Sequence, residues 1–130
     1  MWKLASSVGT IAMLAAASAS WAGESGMSGE EMRRAVAGRT VLLDTPVGSL
    51  PIVYQAGGGL TGKAKGMPAH LLDGPSEDHG RWWIASDQLC QQWSRWLDGR
   101  KYCFRMRVEG STVHWRRDDG RTGTARIVSN

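Results

Sequence analysis

Histidine and cysteine are scarce in this chain of 130 residues, which holds three of the first and two of the second. With so few histidines, and no serine beside a plausible base, a Ser-His-Asp machine has nothing to build from. Cys90 and Cys103 lack the close ligand spacing of a metal knuckle or a redox motif. Long apolar runs are missing too. The one that exists, Leu4 to Ala17, falls short of the ~20 residues a bilayer-spanning helix needs, and no second follows. Charge of one sign is also lacking. Without Lys3, fifteen basic residues stand against twelve acidic ones, well short of the dense positive patch that binding a nucleic-acid backbone requires.

What is there begins with a leader. Met1-Trp2-Lys3 is a short cationic start, Leu4 to Ala17 an alanine-rich apolar run, and Ser20-Trp21-Ala22 a small-x-small cleavage site. That is the layout of a secretory signal peptide over residues 1–22. The expected product is one exported domain over 23–130, periplasmic or secreted, with no transmembrane segment. A domain of that size holds a core with little margin, so one covalent staple matters.

Ser28-Gly-Glu-Glu31 fits a capping box, Met32, Ala35 and Val36 give one apolar face, and Gly38 suits a helix end. This predicts one short helix over 29–37. Beyond Gly38 the period changes from 3.6 to 2. Thr40–Leu43, Pro51–Gln55, Leu60–Lys65, Arg81–Ala85, Gln88–Arg95, Lys101–Val108, Thr112–Arg117 and Thr122–Val128 read as short strands, most of them separated by turn residues. The expected fold is mainly β: an antiparallel meander of about eight strands, a small barrel or a curled sheet, with one N-terminal helix.

Pairing the C-terminal strands sharpens the expectation. A two-residue turn at Ser86-Asp87 faces Ile84 with Leu89 and Trp83 with Cys90. A turn at Glu109-Gly110 faces Phe104 with Trp115 and Met106 with Val113. At Asp119-Gly120 one extra residue, a G1-type bulge at Gly120, faces Val113 with Ile127 and Trp115 with Ala125. Trp82, Ile84, Leu89, Trp93, Tyr102, Phe104, Met106, Val108, Val113 and Trp115 then share a core face, and Arg105, Arg107, His114 and Arg116 a wet one.

Cys90 and Cys103 fall on one face of neighbouring strands of an exported chain, so a disulfide is expected. Asp98-Gly99 argues for a tight hairpin instead, which would face Cys90 with Arg107 and leave the sulfurs too distant to bond. Direct pairing of the cysteines, preferred here, turns Ser94–Gly99 into a wide loop. Trp96 then sits at an exposed tip as a candidate contact residue, and Arg105, Arg107 and Arg116 join it as candidate contacts for an anionic ligand or an envelope protein. Trp83 is expected to cover the disulfide.

Two other segments invite a chemical reading. Gly57-Gly-Gly-Leu-Thr-Gly62-Lys63 matches G-x4-G-K, but Ala64 supplies no magnesium-binding hydroxyl and no helix pattern follows, so a glycine-rich turn between strands is the plainer reading. His70, Asp73 and His79 crowd ligating groups together, though at no established metal spacing. A polar connection is the plainer reading there as well. No cofactor and no nucleic-acid partner are expected.

Gly38-Arg-Thr40-Val41, Gly80-Arg-Trp82, Asp87-Gln-Leu89-Cys90-x-x-Trp93, Cys103-Phe104-Arg105 and Asp119-Gly120, in that order after a helix, resemble a family of small proteobacterial exported β-rich proteins of unknown function. The resemblance implies the β-rich fold and the cysteine pair, and it carries over no catalytic residue. Small periplasmic lysozyme inhibitors are a weaker likeness: this chain lacks their Ser-Gly-x-x-Tyr element, and its positive charge is the wrong sign for a basic lysozyme. The expected function is a non-enzymatic binding or envelope-interaction module. The alternatives are a small-ligand carrier, a lysozyme-inhibitor-like protein, or a metal-dependent enzyme using the His70–His79 loop.

Overall fold

A computed structural model describes residues 26–67 and 74–128. The expected leader lies outside them, as do His70 and Asp73. The capping box forms: the Ser28 hydroxyl accepts the Glu31 N–H at 3.2 Å, and the Glu31 carboxylate accepts the Ser28 N–H at 3.3 Å. Helix α1 follows over Gly29–Val36 and buries Met32 and Val36. It stops one residue short of expectation because Ala37 turns extended at ψ 124° and Gly38 takes φ 73°.

Eight antiparallel strands follow: β1 (Arg39–Thr45), β2 (Gly48–Tyr54), β3 (Gly59–Lys63), β4 (Glu77–Ala85), β5 (Gln88–Trp93), β6 (Lys101–Glu109), β7 (Thr112–Arg117) and β8 (Thr122–Val128). Each pairs with the next, and β1 also pairs with β8, from Thr40 opposite Val128 to Leu43 opposite Ala125. The sheet is therefore a closed barrel. Closure gives every strand two partners and removes the edges on which another chain could pair.

β4 begins four residues before its expected start, because Glu77 to Gly80 pair with β3 despite their polarity. Backbone pairing asks nothing of the side chains, so a polar strand end reads as a loop in sequence. The Ser86-Asp87 turn is as expected, with φ 50° and 54°, and faces Ile84 with Leu89 and Trp83 with Cys90.

Two registers differ from expectation. Between β6 and β7 the turn is Gly110-Ser111, so Met106 faces Trp115 and Phe104 faces Arg117. Gly110, at φ 61°, takes the first central position, where a type II′ turn demands positive φ. Between β7 and β8 the expected bulge forms at Gly120, whose N–H donates to the Arg117 carbonyl at 2.9 Å, but the pairing is displaced. Arg117 donates to the Arg121 carbonyl at 2.7 Å, Gly120 takes φ 93°, and Val113 faces Ala125 while Trp115 faces Gly123. Both displacements are two residues, an even number, so each side chain keeps its expected face.

Cys90 pairs directly with Cys103 on the outer wall, and the two are joined by a disulfide. Trp83 is Cys90's neighbour across the β4–β5 ladder. The cysteines stand 13 positions apart in sequence, and cross-linking such a loop adds on the order of 3 kcal/mol. Cys90→Ser is therefore expected to lower unfolding stability by ~2–5 kcal/mol, read as a fall in the urea midpoint. Adding reductant to the unsubstituted protein should reproduce most of that fall.

Candidate functional site: the barrel lumen

Alternation along the closed barrel sends one residue in two inward, and these surround a cavity of about 350 Å³. Its wall is mainly apolar, with Leu50, Ile52, Phe104, Met106, Val113 and Ala125 among the lining residues. One end is shut by α1, whose Val36 reaches the cavity, while the N–H of Gly29 donates to Asp87 Oδ1 of the β4–β5 turn at 2.8 Å. Near that floor Tyr54 donates to Gln91 Oε1 at 3.0 Å, and burial pushes the Tyr54 hydroxyl pKa well up, so it stays a neutral donor. The lining continues at the other end to the exposed Pro46 and Arg121 and the half-buried Met67 and Leu97. Among the described residues, the mouth lies there.

Trp96 departs from its expected place. It is 1% exposed, at the start of the 3-10 turn Trp96–Gly99. The loop between the cysteine strands is wide, as their pairing demands, but Leu97, Asp98 and Gly99 stand at φ 56°, 57° and 66° and the chain folds back over the barrel. The indole packs on Trp93 with ring centroids 4.6 Å apart, and its Nε1 donates to the Pro75 carbonyl at 2.6 Å. Gly62 makes the space, since a β-carbon there would fall 2.3 Å from the ring. The sequence placed Trp96 at an exposed loop tip, but strand parity ends at Trp93 and does not report where the next residues turn. The missed signal is a side-chain deficit: Gly62 leaves a hole in the inner layer of β3, and a nearby tryptophan fills it.

Asp78 holds that loop. It lies on the inner face of β4 at 5% exposure and accepts the N–H groups of Arg95 and Trp96, each at 2.8 Å. Burial opposes its ionisation, but the N–H groups of Trp96, Arg95 and His79, with the charge of Arg95, outweigh it and lower its pKa.

Arg117 is the residue the sequence reading missed altogether. It points inward opposite Phe104 at 9% exposure, its guanidinium 4.0 Å from the centroid of the Tyr102 ring. Asp119 in the β7–β8 turn grips it at two points, through Nε at 2.8 Å and Nη2 at 2.5 Å. The Asp119 hydrogen bond raises the Arg117 pKa, and the same bond lowers that of Asp119 to about 2. Strand parity from Trp115 points to Arg117, a signal that its charge obscured. Trp115 itself lies over Gly123, where a β-carbon would fall 2.3 Å from the indole, and meets Phe104 edge to face at 5.5 Å. Among the described residues its Nε1 is the buried side-chain polar atom without a hydrogen-bond partner.

Arg105, Arg107 and Arg116 come together on the outside of the barrel, away from the lumen. Arg105 faces Arg116, and Arg107 faces His114. Glu109 engages both members of the second pair, Arg107 closely and His114 at 3.5 Å. Val108, expected in the core, is 41% exposed at the end of β6. His79 is exposed on β4, 3.9 Å from Glu77. Among the described residues no three His, Cys, Asp or Glu side chains gather as a metal site would need, and no helix is long and apolar enough to cross a membrane.

Comparison of the chain with protein-family models, curated proteins and solved structures finds no match. The geometry of the lumen is therefore the ground on which function is read.

Removing the Trp96 side chain should cost about 3–5 kcal/mol of unfolding stability, because a buried indole leaves a cavity. Denaturant titration of Trp96→Ala measures it. Asp78→Ala should lose ~1–3 kcal/mol at neutral pH by orphaning two N–H groups. A carboxylate with a depressed pKa in the fold stabilises above its ordinary value of ~4 and stops doing so as pH falls through the folded value. The gap between the unsubstituted protein and Asp78→Ala should therefore hold steady above about pH 5 and narrow below pH 4, measured by unfolding across that range.

Proposed function

We propose that this protein is a small-ligand carrier that takes an apolar molecule into the barrel lumen, without chemical conversion. One observation carries the reading: a mainly apolar cavity of about 350 Å³, capped at one end by α1 and bordered at the other, among the described residues, by the exposed Pro46 and Arg121. Pockets of ~300–1,000 Å³ with mostly apolar walls and a few placed polar groups are the usual form of small-molecule sites. A structural core would have been filled at this point, since protein interiors pack without voids of that size. The described lining offers no carboxylate, histidine or thiol, the groups that carry most acid–base and nucleophilic chemistry.

Export belongs to the same proposal. Met1 to Ala22 have the layout of a leader, and the Cys90–Cys103 disulfide suits an oxidising compartment. Contact with an anionic envelope partner through Arg105 and Arg116 is a second reading, favoured by two like charges held opposite each other on the outer wall, an arrangement that costs stability.

Binding of the neutral apolar fluorophore N-phenyl-1-naphthylamine tests the carrier. One molecule per chain is expected to bind, with a rise in probe emission. Ala125→Trp and Ile127→Trp place a large ring in the lumen wall and should abolish the rise in variants whose circular dichroism shows a folded barrel. No rise with the unsubstituted protein, or an unchanged rise in a folded lumen-filling variant, would overturn the reading.

A further inference from the structure

We infer that the ligand is a single-chain amphiphile with an anionic head, a medium-chain fatty carboxylate, bound with its tail toward Tyr54 and Gln91 and its head at Arg117 and Arg121. This rests on the carrier reading and adds the class of molecule carried.

The charges of the lumen are sorted. Its described lining contains two cations, Arg117 and Arg121, both at the mouth, and no carboxylate. Asp119, which neutralises Arg117 in part, is not among the residues that line the cavity. It occupies Nε and Nη2 and leaves Nη1 without a hydrogen bond among the described residues. Asp119 thus acts as a positioning residue, holding the guanidinium while one donor remains for a ligand. Tyr102, 4.0 Å from the guanidinium, fixes its other side. The Arg121 backbone N–H also donates to Asp119, at 3.2 Å, so one carboxylate organises both cations.

The remaining Nη1 can donate to a ligand carboxylate, a charge-assisted bond stronger than one to a neutral acceptor. Below the mouth the wall is apolar as far as Tyr54 and Gln91, which already satisfy each other. A chain with a polar far end gains little there. The cavity lies near the small end of ligand-pocket volumes, which suits one acyl chain rather than a two-chain lipid.

Titration calorimetry of the oxidised protein with decanoate, decanol and decyltrimethylammonium tests the inference, below the micellar concentration of each and at pH 7. Decanoate should bind at least tenfold more tightly than decanol, and the cationic amphiphile more weakly than either. Arg121→Gln should cut the preference for decanoate several-fold while leaving decanol affinity within twofold. Arg117→Gln should remove the rest, and because it also disturbs the β7–β8 turn, Arg121→Gln carries the test if that variant does not fold. Equal affinity for decanoate and decanol, or a preference untouched by Arg121→Gln, overturns the anionic head and leaves the carrier standing. Binding of none of the three, with no response to the naphthylamine probe, overturns the carrier itself.

Discussion

Pairing of β1 with β8 is the constraint on which the rest of the molecule depends. Once eight strands close on themselves, the interior width is set by the number and tilt of the strands and no longer by the side chains inside. Side chains decide only how much of that space they occupy. On one side of the barrel Trp82, Trp93 and Trp96 occupy it well, the last two in contact with each other. On the other, Val41, Val113 and Ala125 are too small to meet across the middle. The lumen is the remainder, and its wall is off-centre because large and small residues are unevenly placed around the ring.

The two ends of the barrel are built from different materials. Helix α1 shuts one end with Met32 and Val36 and is tied to the wall through Asp87. The other end is made of connections: Pro46 between β1 and β2, Leu97 after Trp96, and the Asp118-Asp119-Gly120 turn. In two of these connections an aspartate organises backbone N–H groups, Asp78 for Arg95 and Trp96, Asp119 for Arg121. Loops that carry binding groups need such fixed points, because a rigid scaffold alone does not hold them in place.

The fold was largely legible in the sequence. Residue parity and turn chemistry placed the strands, the helix cap and the Cys90–Cys103 pair, because each rests on a local rule with period 2 or 3.6. Two registers were wrong by two residues because a glycine beside a polar residue permits more than one turn, and only cross-strand packing selects among them. Trp96 was misplaced for a related reason: after Trp93 the direction of its side chain depends on three left-handed residues whose conformations no periodicity reports. Arg117 was hidden by its charge, although its parity with Val113 and Trp115 is correct. The void itself was not readable at all, since it depends on which inward residues end up opposite one another around a closed ring.

An even number of strands running alternately up and down returns the chain to the end from which it started. β1 begins beside α1, and the last residues of β8 pair with the first of β1, Val128 opposite Thr40. Both described ends of the polypeptide therefore leave the barrel at the helix-capped end, while Pro46, Leu97 and Arg121 surround the mouth at the other. A tether, a fusion partner or a solid support joined at either described end would hold the barrel like a cup by its base. The mouth would stay turned outward, away from the point of attachment.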